Sequence, residues 1–271
     1  MTEERVTYTH GHHHTVTSSH ARRGVDDSAA YLRHRLLPGV DVLDVGCGPG
    51  SITLDMHRLV SPGRVVGVEN VEQPLTLARA AAREQGAPEV EFALGDVYSL
   101  DFPDASFDIV HAHQVLQHLT DPVTALREMR RVCRPGGVVA ARDADYAAMT
   151  WYPESPGLTD WLALYRAVAL GNDAQPDAGR RLLSWAQHAG FARLQPSTSV
   201  WLYATAHERE IWGMGWAARS VESDFARQAL ELGLATEDRL LEIAAAWRAW
   251  VGREDGWFAV LHGEVLCHND P

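Results

Sequence analysis

The sequence predicts an α/β protein in which a mostly parallel sheet carries helices on both faces. Short apolar segments alternate with helical segments of about 10–15 residues along the first half of the chain. A glycine-rich loop joins the first of these strands to a helix. Acidic residues follow the next strands, at the sheet edge where open α/β proteins bind ligands.

Composition narrows the class of protein. The 271 residues allow one large domain, or one domain with an elaborate insertion. All 24 basic residues are arginine, which excludes a Schiff-base or P-loop lysine, and the net charge of −12 disfavours a nucleic-acid partner. Cys47, Cys133 and Cys267 lack metal-ligand or disulfide spacing, so we expect no metal and a cytoplasmic location. Because no signal peptide or transmembrane stretch is found, we also expect no membrane partner.

The pattern predicts strands and helices in regular order. The strands are expected at Val40–Gly46, Gly63–Asn70, Val90–Asp96, Phe107–His113, Val138–Asp145, Ala192–Thr205 and Trp257–His268. The helical segments are expected at Asp26–Leu37, Ser51–Val60, Val71–Gly86, Asp121–Cys133, Leu158–Leu170, Asp177–Ala189 and His207–Val251. In the fourth helix Asp121 is the predicted N-cap and Pro122 the first helical residue.

The glycine-rich loop has the sequence DVGCGPG, from Asp44 to Gly50. Glycines let the backbone approach a ligand closely, and the N-terminus of the following helix offers N–H donors. Because a strand precedes this loop and a helix follows it, the motif predicts a nucleotide-binding loop. A plain glycine-rich turn is the alternative.

Two acids lie at the ends of the next strands. Glu69, at the end of the second strand, is placed to accept hydrogen bonds from ribose hydroxyls. Asp96, within Gly95-Asp96-Val97, can accept from an adenine amino group while the Val97 N–H meets a ring nitrogen. The alternatives are a surface carboxylate for Glu69 and a turn or N-cap for Asp96.

These motifs, with LGDVYSLDFPDASFDIVHAHQVLQHLTD and LREMRRVCRPGGVV, resemble the class I S-adenosylmethionine-dependent methyltransferases over about residues 35–145. The most similar branch contains the ubiquinone/menaquinone C-methyltransferases. The resemblance implies a Rossmann-like, mostly parallel seven-stranded sheet with an N-terminal lid and a helical cap before the last strand. The implied segments are a lid with helices at 1–37, a core at 38–206, a cap at 207–252 and the last strand at 253–271.

Three other functions stay open at this stage. An NAD(P)-dependent oxidoreductase is one, although the third glycine of its GxGxxG pattern is missing here. A non-catalytic S-adenosylmethionine-binding protein is another. A methyltransferase acting on RNA or protein is the third, which the acidic charge disfavours.

The resemblance also implies S-adenosyl-L-methionine as cofactor and S-adenosyl-L-homocysteine as product. The glycine-rich loop would hold the methionine end, Glu69 the ribose and Asp96 the adenine. Residues just past the fourth strand would lie beside the sulfonium. The implied cofactor-binding residues are Asp44, Gly46, Cys47, Gly48, Glu69, Asn70, Pro74, Gly95, Asp96, Val97, His113, Gln114 and His118.

The catalytic residues follow less directly, because methyl transfer needs a base only when the nucleophile must lose a proton. Tyr8, His13 and His14 are candidates in the N-terminal segment, which resembles the lid of bacterial small-molecule methyltransferases. Asp143 and Asp145 are candidates after the fifth strand. Solvated histidines, loop-capping acids and catalysis by positioning alone are the alternatives.

The acceptor site is expected in the second half, because all nine tryptophans lie between Trp151 and Trp257. Their helical spacing is also typical of residues in a hydrophobic core. The tryptophans can therefore be interpreted either as core residues or as the walls of an aromatic pocket. If a pocket is present, the sequence predicts a small aromatic acceptor, and an indole-containing metabolite of a bacterial specialised pathway is the narrower prediction. We expect methylation at C, N or O by a monomer or homodimer. Predicted substrate-binding residues are Tyr146, Trp151, Asn172, Arg180, Trp212 and Trp216, with His10 a further candidate at the rim.

Overall fold

A computed structural model describes residues 23–270 of the protein. The strands are β1 (Val42–Val45), β2 (Val65–Glu69), β3 (Glu91–Leu94), β4 (Phe107–His113), β5 (Cys133–Ala144), β6 (Thr150–Tyr152), β7 (Arg193–Tyr203) and β8 (Trp257–His268). They form an eight-stranded sheet in the order β3-β2-β1-β4-β5-β8-β6, with β7 paired to β8.

The sheet is parallel from β3 to β5 and ends in an antiparallel β7–β8 hairpin. β8 is also antiparallel to β5. The short β6 pairs with the start of β8, beyond the residues that pair with β5. β6 therefore occupies the same position in the sheet as β5, further along β8, so the eight strands fill seven positions. The predicted Rossmann-like, mostly parallel seven-stranded sheet with helices on both faces is confirmed.

The helices follow the predicted pattern closely in the first half of the chain. They are α1 (Val25–Ser28), α2 (Ser51–Val60), α3 (Glu72–Glu84), α4 (Pro122–Val132), α5 (Pro156–Gly171), α6 (Leu182–His188), α7 (Ala206–Arg209), α8 (Gly215–Glu222), α9 (Asp224–Glu231) and α10 (Glu237–Val251). The predicted cap of α4 is confirmed, since the Asp121 carboxylate accepts from the Thr124 N–H at 3.0 Å.

Two predicted helices are shorter than expected. The first is only α1, followed by a 3-10 turn over Ala30–Arg35. Here the Asp27 carbonyl accepts from Trp201 Nε1 at 2.8 Å, a long-range bond that the local pattern does not reveal. Similarly, Asp177 does not begin a helix, because its carboxylate binds the Ala147 N–H and Arg166.

Helices lie on both faces of the sheet. α4 and α6 pack on one face against the apolar residues of β1, β4 and β5. Between β7 and β8 the chain forms α7 to α10. Of these, α8, α9 and α10 pack with α5 around an aromatic cluster that contains Trp161, Trp216 and Trp247. No helix within residues 23–270 is long and apolar enough to cross a membrane.

Candidate active site

The glycine-rich loop is tied to the end of β2. The N–H groups of Gly46 and Cys47 both donate to the Val68 carbonyl, at 2.7 and 3.0 Å. Gly46 has a φ of +68°, and a Cβ added there would lie 2.3 Å from a methyl group of Val115. A side chain at this position therefore faces both backbone strain and a clash, which explains the glycine.

Glu69 joins this loop to the second strand. Its Oε2 accepts from the Gly48 N–H at 3.1 Å, and its Oε1 accepts from the Asn70 N–H at 2.9 Å. Burial raises the pKa of Glu69, while these two backbone N–H donors lower it. Each carboxylate oxygen can still accept from a further donor such as a ribose hydroxyl.

Asp44 lines the same cavity but is already bound on both oxygens. Oδ1 lies 2.8 Å from His111 Nδ1, and Oδ2 accepts from Thr53 Oγ1 at 2.6 Å. Asp44 is buried, so these contacts hold the end of β1 against β4 and α2. Asp96, by contrast, is exposed and accepts from the Tyr98 N–H at 2.9 Å.

All of the predicted cofactor-binding residues line one cavity at the carboxyl ends of β1, β2, β3 and β4. They are Asp44, Gly46, Cys47, Gly48, Glu69, Asn70, Pro74, Gly95, Asp96, Val97, His113, Gln114 and His118. The cavity thus combines exposed backbone at glycines with the carboxylates of Glu69 and Asp96. This arrangement fits a nucleoside that carries a cationic group. The two carboxylates can accept hydrogen bonds from hydroxyl and amino groups, and they attract positive charge.

Two histidines of this cavity are uncharged. Burial lowers the pKa of His118 to about 3, and the positive charge of Arg23 lowers it further. Burial and the nearby Arg142 likewise hold the pKa of His113 well below its usual range. Neutral imidazoles here avoid repulsion with a sulfonium.

The family is decided by comparison with known proteins. Residues 36–190 match a family model described as a methyltransferase domain. An uncharacterized methyltransferase of Schizosaccharomyces pombe is 33% identical over 97% of this chain and 96% of its own length. This chain is a class I S-adenosylmethionine-dependent methyltransferase. The nicotinamide oxidoreductase alternative is thereby excluded.

Other relatives agree with this family. A probable methyltransferase of Aspergillus luteorubrus is 31% identical, over 96% of both chains. The demethylmenaquinone methyltransferase of Lactococcus lactis is 33% identical over only 44% of this chain and 48% of its own. Among solved structures, a protein of Bacillus halodurans described as a putative methyltransferase matches the fold with a TM-score of 0.57 at 19% identity. The match covers 91% of this chain and 100% of that chain.

A second, smaller cavity of the methyltransferase shares Arg23 and Gln114 with the first. Its aromatic walls include three of the predicted residues, Tyr146, Trp212 and Trp216. Tyr146 stacks on Tyr165 with ring centroids 4.2 Å apart, which fixes the ring. The remaining lining residues are Ala144, Met149, Trp201, Arg219 and Val260.

The other three predicted substrate-binding residues line neither cavity, and their role in substrate binding stays a prediction. Trp151 stacks on Phe258, with ring centroids 5.5 Å apart. Asn172 donates to the side chain of Gln228 at 2.7 Å. Arg180 forms an ion pair with Asp145 at 2.7 Å. Each is held by long-range packing partners that chain order alone does not identify.

The two candidate acids at the end of β5 also bind structural partners: Asp143 is the second-last residue of the strand, and Asp145 follows it. Asp145 is buried and binds Arg180 with both carboxylate oxygens. Asp143 is buried without lining either cavity, and burial raises its pKa to about 8. An acid with that pKa is mostly protonated at neutral pH, so neither position favours a role as general base. Their catalytic roles remain predictions, while Tyr8, His10, His13 and His14 lie outside the described residues.

Among the residues of the second cavity and its support that sequence reasoning missed, four are polar or aromatic. Arg23 is half-buried, lines both cavities and stands over the Trp201 ring at 5.0 Å. Arg219 lines the second cavity, and His262 contacts Gln114 from β8. Only Trp201 carried a signal, as one of the clustered tryptophans; the others lie in segments without a motif.

Proposed function

We propose that this methyltransferase acts on a small, planar aromatic metabolite that binds beside the cofactor motifs, at the junction lined by Arg23 and Gln114. One observation carries this proposal: an aromatic-walled cavity shares Arg23 and Gln114 with the cavity of the cofactor motifs. Aromatic walls favour flat rings, which stack on Tyr and Trp side chains. The shared residues would bring such a ring close to the methyl group.

The partial similarity to demethylmenaquinone methyltransferases supports a ring-containing acceptor, since their name gives demethylmenaquinone as the substrate. Because that similarity covers less than half of this chain, membership of their branch is a proposal as well. An indole is a narrower candidate, favoured by the tryptophan-rich walls. A bacterial source, a specialised pathway, a cytoplasmic location and a monomeric or homodimeric state belong to the same proposal.

In the first cavity, the loop at Gly46–Gly48 would bind the methionine part of the cofactor, Glu69 the ribose hydroxyls and Asp96 the adenine. His113, Gln114 and His118 would lie near the sulfonium. S-adenosylmethionine supplies an electrophilic methyl group for in-line displacement. The chain contributes orientation and exclusion of water, which are worth up to about 7–11 kcal/mol when two reactants are well placed.

The division of the chain is proposed in the same terms: a lid with helices (1–37), a core (38–206), a cap (207–252) and a last strand (253–271). α5 packs with α8 and α10, so its buried face contributes to the cap side of the molecule. The lid role of the N-terminal segment rests on the sequence resemblance.

The proposal is tested by methyl transfer from labelled S-adenosylmethionine to a panel of planar aromatic and non-aromatic small molecules. Products are identified by mass spectrometry. Trp212→Leu should raise KM for an aromatic substrate at least tenfold without changing cofactor affinity. Trp185→Leu is the matched control, because Trp185 packs on the opposite, α4–α6 side. Labelling of only non-aromatic compounds would refute the proposal.

A further inference from the structure

Gln114 occupies an unusual backbone position between the two cavities. Its φ of +54° lies in the left-handed region, which costs a residue with a long side chain about 1 kcal/mol or more. Its N–H donates to the Arg142 carbonyl at 2.7 Å, so the turn after β4 is held to β5. This strained turn directs a polar side chain to the junction, since Gln114 lines both cavities.

The tautomer of His262 follows from its two contacts. His262 Nδ1 lies 3.1 Å from the Val260 carbonyl, which can only accept, so Nδ1 must carry the proton. Burial and Arg142 hold the pKa of His262 well below its usual range, so the ring is neutral. A neutral imidazole has one proton, and Nε2 is therefore an acceptor.

The orientation of the Gln114 amide follows in turn. Gln114 Nε2 lies 2.9 Å from His262 Nε2 and donates to it. The other amide atom, Oε1, then points away from His262, and no group among the described residues donates to it. Gln114 therefore offers a hydrogen-bond acceptor, and not a donor, at the place where the cavities meet.

The second cavity places aromatic faces and two arginines beside this acceptor. Arg23 stands over the Trp201 ring at 5.0 Å, and the buried Arg219 stands over the Trp216 ring at 5.2 Å. Both guanidinium groups already have partners within the protein. The aromatic walls therefore favour a flat ligand, and the arginines do not determine its charge.

We propose that Gln114 determines acceptor specificity: its carbonyl oxygen, oriented by His262, accepts a hydrogen bond from an N–H or O–H of a planar methyl acceptor. The inference rests on the proposed function and names the chemistry of its substrate. As methyl transfer makes that N–H or O–H more acidic, the same hydrogen bond stabilises the developing positive charge. His262 acts as a positioning residue, because it fixes which end of the amide faces the substrate.

The first test reads the tautomer directly by ¹H–¹⁵N NMR of the whole protein bound to S-adenosyl-L-homocysteine. We expect His262 to carry its proton on Nδ1 and to stay neutral through neutral pH. In Gln114→Glu the carboxylate can only accept, so a proton should appear on His262 Nε2. Gln187→Glu places the same change on an exposed face of α6 and should leave His262 unchanged. A proton on Nε2 in the wild-type protein would overturn the inference.

The second test measures binding of two probes by calorimetry, again with S-adenosyl-L-homocysteine bound. Indole has the N–H donor, and benzofuran has the same shape but lacks it. We expect benzofuran to bind at least tenfold more weakly than indole, about 1.4 kcal/mol. In Gln114→Leu, the preference for indole over benzofuran should disappear.

The outcomes separate the two proposals. Equal affinity for the two probes, or binding of neither by a protein that binds S-adenosyl-L-homocysteine, overturns the assignment of Gln114 and leaves methyl transfer to other acceptors intact. Absence of methyl transfer to any aromatic compound instead overturns the proposed function. Thermal unfolding of Gln114→Leu and Gln114→Glu shows whether both variants are folded.

Discussion

The cofactor cavity and the aromatic cavity share two lining residues but are built differently. The first is made of short loops at the ends of adjacent parallel strands, so each motif brings its own backbone and side chains to the edge. The second gathers residues from β5, the segment after it, β7, α8 and β8. A local cavity of the first kind is readable from motifs, whereas a cavity of the second kind depends on packing between distant segments.

The largest expected effect separates core from pocket in the aromatic half. Trp161 is completely buried and lies 4.5 Å from Trp216 and 4.9 Å from Trp247 in centroid distance. Trp161→Ala should reduce the free energy of unfolding by about 3–5 kcal/mol, the usual cost of removing a buried Trp. Denaturant unfolding measures the loss. Trp257→Ala, at a partly exposed ring, is the control. A loss below about 1 kcal/mol would show that this cluster is not the core of the cap.

In the cofactor half, Gly46→Ala should be nearly as damaging. Strain at positive φ and the clash with Val115 together should cost about 2–5 kcal/mol and weaken cofactor binding. Gly86→Ala is a matched control, because Gly86 has a similar φ of +70° but open space around its Cα. Calorimetry and unfolding measure both effects. Equal losses in the two variants would show that strain alone accounts for Gly46.

Glu69→Ala tests the polar part of the same cavity. Loss of charged hydrogen bonds should weaken S-adenosylmethionine binding by about 1.5–3 kcal/mol, roughly 10- to 100-fold. Glu84→Ala, an exposed acid at the end of α3, should not change affinity. Because burial raises the pKa of Glu69, wild-type affinity should also fall on acidification before an ordinary glutamate would protonate. Unchanged calorimetric affinity in a folded variant would refute the ribose assignment.

The smallest effect, taken per pH unit, concerns a buried acid in the interior. The pKa of Asp143 is raised to about 8, so between its unfolded pKa and about pH 8 the native state holds a proton that the unfolded state has released. Stability should therefore fall by about 1.4 kcal/mol per pH unit as pH rises across that range. Asp143→Asn should remove this slope.

Urea unfolding at several pH values between about 5 and 7 gives the slope for wild type and variant. Asp104→Asn changes an exposed carboxylate paired with Arg131 and serves as the control. Identical slopes in wild type and Asp143→Asn would show that Asp143 is ionised in the native state. That result would return it to the list of candidate bases.

The sequence by itself determined the alternating sheet, the glycine-rich loop, Glu69 and Asp96, because strand periodicity and loop chemistry are local properties. It also placed three aromatic walls of the second cavity. Tertiary structure alone decided that Arg180 pairs with Asp145, that Trp151 packs on Phe258, and that His262 contacts Gln114. These contacts join segments far apart in the chain, and whether a polar side chain faces a ligand or a partner depends on which segment packs against it.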